Sequence, residues 1–243
     1  METGMNKVRG IRKTIGILLI FCGILAIFLP KVQALKVQKD QADTIQKFQE
    51  EKINAPGNEG RENRVLWEQI CQYNREIYEN GQKEFADIQV AACRPKQLQA
   101  MEDDLFGYIE IPAMACRLPL YLGASDENLR YGATVLGGTS VPIGGKNTNS
   151  VIAGHRGWKK NKFFKEIEKL TPGDVVYVTN LWETLVYRVE CIDVIEPFDS
   201  EKVKIQEEKD MITLLTCHPY CSGGRYRYAV YCVRDEIYDC TDS

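Results

Sequence analysis

Hydrophobic and polar residues alternate with a period of two after Asp104, and turn-forming residues separate the alternating runs. This pattern is typical of short β-strands, because successive side chains on a strand point to opposite faces. Eight strands are predicted: Phe106–Ile111, Leu118–Leu122, Gly132–Leu136, Asn149–Ala153, Asp174–Thr179, Trp182–Ile195, Met211–Thr216 and Tyr226–Val233. One short helix, Asn161 to Leu170, is expected among them. Many short strands with brief connections predict a mostly β fold, a closed or nearly closed eight-stranded barrel.

The stretch from Lys36 to about Ala100 is polar and has a helical period instead. A break at Asn54 to Gly60 separates two predicted helices. One face of the second helix carries apolar residues spaced by four, three and four positions: Leu66, Ile70, Tyr73 and Ile77. We interpret these helices as a surface cover on the barrel.

The N-terminus has the pattern of a membrane-targeting segment. Basic residues up to Lys13 precede an uncharged, mainly apolar run from Thr14 to Leu29, which Val32, Ala34 and Leu35 extend. About twenty apolar residues cross a bilayer, so residues 14–35 are predicted to form a transmembrane anchor. A cleavable signal peptide ending at Val32-Gln33-Ala34 is the alternative. Positive charge before the apolar run predicts a single-pass protein of the cell membrane, with a cytoplasmic N-terminus and an extracellular remainder.

These patterns divide the 243 residues into five parts. They are a cytoplasmic basic tail (1–13), the transmembrane anchor (14–35), an extracellular helical stalk or cover (36–100), the β-barrel (101–238) and a C-terminal tail (239–243).

The net charge of -3 provides no basic field for a phosphate backbone, so nucleic acid is not expected as a partner. Nine cysteines and two histidines lack the spacing of zinc sites, so no structural metal is expected either.

Cys217 directly follows a predicted strand, and on its own it resembles an ordinary core thiol. Its context is more specific. The string Thr213-Leu214-Leu215-Thr216-Cys217 matches the Thr-Leu-x-Thr-Cys motif of sortases, and Ala153-Gly154-His155-Arg156 is similar to the segment with their catalytic histidine. The chain therefore resembles the sortase family of cysteine transpeptidases, which implies a sortase-type β-barrel.

Several further segments resemble the pilin-assembling class C sortases, and the resemblance covers roughly residues 106 to 234. They are Leu118-Pro119-Leu120-Tyr121 with Gly123, Gly137-Gly138-Thr139-Ser140, Gly144-Gly145-Lys146-Asn147 and Glu183-Thr184-Leu185-Val186-Tyr187. Class C enzymes usually have an Asp-Pro-aromatic lid before the barrel. The corresponding region here, Phe85 to Pro95, contains no such tripeptide.

The chemistry of a thiol nucleophile requires a base or a cation beside it, because the thiolate is the reactive form. A free cysteine has a pKa of about 8.5 and is mostly protonated at neutral pH. His218 directly follows Cys217, and neighbours on a strand face opposite ways, which leaves His155 as the acid/base partner. The resemblance places the arginine that stabilises the oxyanion on the strand after the cysteine. Arg227 fits best, and Arg225 is the second choice.

The resemblance implies a membrane-anchored enzyme that cleaves a Leu-Pro-x-Thr-Gly-like sorting signal between Thr and Gly through a thioester. The partners would be a surface protein or pilin with a C-terminal sorting signal and an amine acceptor. The acceptor is a pilin lysine in class C, or a cell-wall precursor in a housekeeping sortase. No metal or organic cofactor is implied. Two functions of another kind are weighed against this one, a secreted cysteine peptidase and a non-catalytic surface-anchoring domain.

Overall fold

A computed structural model describes residues 2–54, 61–83, 85, 88–98, 101–157, 161–197 and 199–235. Its α-helices are α1 (Glu2–Asn54), α2 (Arg61–Glu79), α3 (Ile88–Ala92) and α4 (Asp126–Tyr131). Single turns of 3₁₀-helix are found at Lys96–Leu98, Pro112–Met114, Ile167–Lys169 and Ser200–Val203. The predicted break between the first two helices falls mostly on residues 55–60, and these and the predicted tail 239–243 lie outside the described residues.

Eight strands form a closed barrel, as the alternating pattern predicts. They are β1 (Leu105–Ile111), β2 (Cys116–Leu122), β3 (Ala133–Val135), β4 (Thr148–Ala153), β5 (Val175–Thr179), β6 (Thr184–Ile195), β7 (Asp210–His218) and β8 (Tyr226–Arg234). Their order around the barrel is β1-β2-β3-β4-β7-β8-β6-β5. Two neighbouring pairs, β2 with β3 and β4 with β7, are parallel, and the other pairs are antiparallel.

The two ends of the barrel differ in the loops that they carry. We call the end at which β4 and β7 finish and β8 begins the upper end, and the opposite one the lower end. Apolar side chains that are fully buried fill the interior between them: Ile109, Leu120, Val178, Leu185, Ile212, Leu214 and Val230. A second apolar cluster covers the outer face of β4, β7 and β8 and reaches Leu215.

Helix α2 covers the lower end of the barrel with the apolar face predicted for it. Ile70 is fully buried, and the ring of Trp67 lies 5.0 Å from that of Trp182 in the β5–β6 turn. Asn74 exchanges two hydrogen bonds with the backbone of Val141, of 2.8 and 3.0 Å. The helical cover predicted from periodicity therefore also closes the lower end of the barrel.

The predicted helix from Asn161 to Leu170 is not formed. Turns occupy its first part, and only the 3₁₀ turn Ile167–Lys169 is helical. Phe163 has a φ of 38°, a left-handed conformation that an α-helix cannot include. The apolar spacing of Phe163, Phe164, Ile167 and Leu170 resembles a helical stripe, but it arises because this loop packs all four side chains into the main core cluster.

Helix α1 is the one described helix that is long and apolar enough, over Gly16–Ile53, to cross a membrane. Most of its large apolar side chains up to Leu35 are exposed, as expected of a segment whose partner is lipid. Beyond this part, Ile45 and Phe48 are buried, and Phe48 contacts the ring of Tyr108 edge to face at 6.3 Å. The helix therefore continues from the apolar segment onto the outside of the barrel.

Candidate active site

Cys217 and Arg227 lie directly opposite each other where β7 pairs with β8 at the upper end. Cys217 is exposed, whereas Cys116 and Cys232 are buried in the interior. Burial raises the pKa of the Cys116 thiol to about 12 and raises that of Cys232 as well. Because the thiolate is the nucleophilic form, these two interior thiols are inert near neutral pH.

The Cys217 thiol and the Arg227 guanidinium line the same small space beside Gly224. A methyl group placed on Gly224 would lie 3.2 Å from Cys217 Sγ and 3.0 Å from Arg227 Nη1. Arg227 Nη1 donates hydrogen bonds to the carbonyl oxygens of Gly224 (2.7 Å) and Tyr226 (3.2 Å). A guanidinium has five N–H donors, so these bonds leave Nε and Nη2 to bind a ligand next to the sulfur.

The parallel pairing of β4 with β7 brings His155 to the same level. Ala153 pairs with Leu215, the amide of Gly154 donates to Leu215 O at 3.1 Å, and Thr216 Oγ1 donates to Gly154 O at 2.7 Å. Continued by two residues beyond Ala153 and Leu215, this register places His155 beside Cys217. Neighbouring strands are about 4.8 Å apart, so the two side chains start from adjacent backbones.

His155 occupies a half-buried position in the loop after β4. Its ring meets that of Phe163 edge to face at 6.1 Å, and its carbonyl oxygen accepts a hydrogen bond from Phe164 N. Burial lowers the pKa of His155, and the carboxylate of Asp126 opposes this effect in part. The imidazole is therefore mainly neutral near pH 7, the form that accepts a proton from a thiol.

His218 contacts a different set of residues, on the other side of β7 from the thiol. Arg156 Nη1 lies 2.7 Å from His218 Nδ1, and the ring of Tyr228 lies 5.4 Å from that of His218. The same Nδ1 lies 3.5 Å from Glu168 Oε1, so His218 belongs to the Arg156–Glu168 pair. The strand alternation that excluded His218 as the partner of Cys217 agrees with this arrangement.

Arg156 and Glu168 both belong to the β4–β5 loop and pair beside the end of β7, and neither was predicted from the sequence. The Arg156 side chain is buried, and its Nη2 lies 2.6 Å from Glu168 Oε1. Its Nη1 also donates to the carbonyl oxygen of Cys217 at 3.2 Å. Arg156, the residue after His155, is therefore hydrogen-bonded to the backbone of Cys217. The signal available in the sequence was its position directly after the candidate histidine.

Arg225 lies in the turn before β8, so the strand alternation that would give it the same face as Arg227 does not extend to it. It is exposed, and its amide lies 3.5 Å from Ser222 Oγ.

Among the described residues, no group of three or more His, Cys, Asp or Glu side chains is arranged to hold a metal ion. The upper end thus collects a thiol, an imidazole and a guanidinium.

Comparisons with known proteins agree with this arrangement. The family model for the sortase domain matches residues 109–235. Sortase A of Bacillus anthracis is 28% identical over 213 residues, which cover 88% of this chain and 89% of that protein. An X-ray structure of Clostridium perfringens sortase C with the C-terminal cell wall sorting motif is 36% identical, with a TM-score of 0.68 over 80% of this chain and 98% of that one.

A second solved structure, sortase C1 of GBS pilus island 1, has a TM-score of 0.71 and 30% identity over 80% of this chain and 98% of its own. The similar structures include class C sortases from several species. The family match covers more than half of the chain and spans both segments that carry the site residues. The chain belongs to the sortase family of cysteine transpeptidases.

Proposed function

We propose that this sortase transfers a protein with a Leu-Pro-x-Thr-Gly-like sorting signal to an amine, with Cys217 as nucleophile, His155 as acid and base, and Arg227 as oxyanion donor. The observation that carries the proposal is the convergence of these residues from three strand ends. Cys217 and Arg227 pair across β7 and β8, and the β4–β7 register brings His155 level with them.

In the first step, Cys217 attacks the carbonyl carbon of the signal's threonine. His155 accepts the thiol proton, the C–S bond forms, and the carbonyl oxygen becomes an oxyanion. Nε and Nη2 of Arg227 donate to that oxygen. A neutral His155, which its lowered pKa favours, is the form required at this point.

In the second step, the tetrahedral intermediate collapses, the Thr–Gly bond breaks, and His155 returns its proton to the leaving glycine amine. The threonine is now held as a thioester on Cys217. An incoming amine then attacks the thioester carbonyl while His155 removes a proton from it, and the thiolate leaves. The net reaction exchanges one amide for another and needs no oxidant, reductant or cofactor.

The acceptor amine is proposed to be a pilin lysine, as in class C enzymes. The similar structures named as sortase C, one of them with a cell wall sorting motif, support this choice. A cell-wall precursor is the second candidate, favoured by the similarity to sortase A over most of the chain. We further propose that α1 anchors the enzyme in the membrane, with its N-terminus in the cytoplasm and the barrel outside.

The test is mass spectrometry of the purified chain mixed with a Leu-Pro-x-Thr-Gly peptide and a panel of amines. We expect a thioester adduct on Cys217 and a product in which threonine is joined to an amine. A lysine-containing pilin peptide should be preferred to a glycine-type or cell-wall amine. Release of free threonine carboxylate alone would indicate a cysteine peptidase, and absence of any adduct would indicate an anchoring domain.

The roles of the two arginines can be separated by charge-conserving substitution. Arg227→Lys should lower the transfer rate by about 10²–10³, because lysine lacks the planar fork that directs donors to the oxyanion. Arg225→Lys should cost less than about tenfold, since an exposed side chain contributes little. One transfer rate for each variant decides between them. A larger loss from Arg225→Lys would move the oxyanion role to that residue.

A further inference from the structure

Helix α1 contains both the candidate membrane span and the segment that packs on the barrel, with no break between them. Side chains from Ile17 to Leu35 are mostly exposed and apolar. A buried stripe then begins at Ala34 and continues with Gln41, Ile45 and Phe48. Positions seven residues apart, such as 34, 41 and 48, lie on one face of a helix. The same rigid element therefore meets the lipid and the barrel.

The contacts of this stripe fix the direction in which α1 runs along the barrel. Gln41 Nε2 donates to the carbonyl oxygen of Tyr131, two residues before β3 begins at the upper end. Lys52 Nζ donates to the carbonyl oxygen of Asn180, which follows β5 at the lower end. The packed part of α1 thus descends from the upper end to the lower end, and its apolar part projects beyond the upper end.

A cavity beside the helix supports the same placement. Residues of α1 from Gln38 to Gln49 line it together with Ala115 and Cys116 at the start of β2 and with Lys162 and Phe163 in the β4–β5 loop. Both of these partner segments belong to the upper end, and the second follows His155 in the same loop. The first turns of the packed helix therefore lie next to the loop that carries the candidate base.

We propose that α1 holds the barrel with its upper end, and therefore the Cys217 thiol, facing the membrane surface. The proposal rests on the membrane anchor of the proposed function. Gln41 lies only six positions after Leu35, about 9 Å of helix at 1.5 Å per residue. Pro30 lies before the packed stripe, and a proline bends a helix without reversing it. No flexible linker is present in this part of α1 to turn the barrel around.

The exposed surface at the upper end suits an anionic lipid surface. Lys162 and Lys165 are exposed, and Lys165 Nζ lies 5.4 Å from the ring of Tyr220, which is 50% exposed. An anionic bilayer attracts lysine side chains, and tyrosine is enriched at the membrane–water interface. The partner of this surface is the headgroup layer of the membrane in which α1 is inserted.

The test places a fluorescent amino acid at Lys162 or, as a matched control, at Lys146 in the full-length chain. Both lysines are exposed, but Lys146 precedes β4 at the lower end, roughly 20 Å farther from the proposed surface. The proteins are reconstituted in phosphatidylglycerol nanodiscs with a headgroup-attached quencher. We expect the label at 162 to lose most of its fluorescence and the label at 146 to lose little. Equal quenching, or stronger quenching at 146, would overturn the orientation.

Two further measurements separate the possible causes of failure. Release of the chain from membranes by alkaline carbonate would show that α1 is no anchor, and would overturn the inference. Peptide transfer measured in detergent tests the proposed chemistry independently of the membrane. Lys165→Glu should reduce quenching at 162 in phosphatidylglycerol but not in phosphatidylcholine, and Lys209→Glu should change neither. Identical quenching of the Lys165→Glu variant and the parent protein in phosphatidylglycerol would overturn the part of the proposal that concerns lipid charge.

Discussion

Cys217→Ala should abolish peptide transfer and the thioester adduct, with a residual rate below about 1% of the parent, because no other group replaces the nucleophile. The side chain is exposed, so little packing is lost, and the free energy of unfolding should change by less than about 0.5 kcal/mol. The measurements are the transfer rate, the adduct mass and a denaturant titration. A folded variant with substantial turnover would remove Cys217 from the mechanism.

Cys221 offers a matched control for this substitution. It is also exposed, lies four residues away in the turn before β8, and belongs to no strand. Cys221→Ala should keep most of the transfer activity. If both variants lost activity together, a disulfide or an indirect effect of the turn would explain the result better than nucleophilic attack.

His155→Ala should lower the transfer rate by about 10²–10⁴, the usual contribution of a positioned acid and base. His218→Ala should keep most of the activity, because its contacts are to Arg156 and Tyr228 rather than to the thiol face. It should instead lower the free energy of unfolding, since Arg156 loses a hydrogen-bond partner in a buried position. The reverse order of activities would show that His218 is the base and that the facing of the strand has been misread.

The barrel was predictable from the sequence because each strand has its own alternation and its own turn signals. Thr171-Pro172-Gly173-Asp174 marks one such turn, and β5 begins directly after it at Val175. Several strand ends differ from the prediction: β7 ends at His218 rather than Thr216, β2 begins at Cys116 rather than Leu118, and β6 begins at Thr184 rather than Trp182. Strand ends are decided by pairing with neighbours, for β7 with β8, and local sequence does not contain that information.

Short elements were harder to predict. Helix α4 has a clear start signal, since Ser125 accepts a hydrogen bond from Asn128 N, but its six residues are too few to display a helical period. The contact of Glu168 could not be predicted for a different reason, the lack of any local signal. In the sequence it is one charged residue of a polar stretch, and only the fold brings it to buried Arg156 twelve positions earlier. Contacts between side chains that are distant within one long loop therefore remained outside the prediction.

Two adjacent dipeptides have members that serve opposite sides of the sheet: Cys217-His218 ends β7, and His155-Arg156 follows the end of β4 by one residue. His155 and Cys217 belong to the side proposed for chemistry, while Arg156 and His218 bond each other on the other side. Inserting or deleting one residue within β4 or β7 would turn both side chains of the dipeptide that follows or ends that strand to the opposite sides of the sheet. Relatives that retain this chemistry should therefore vary in length within the loops and keep both strand lengths fixed.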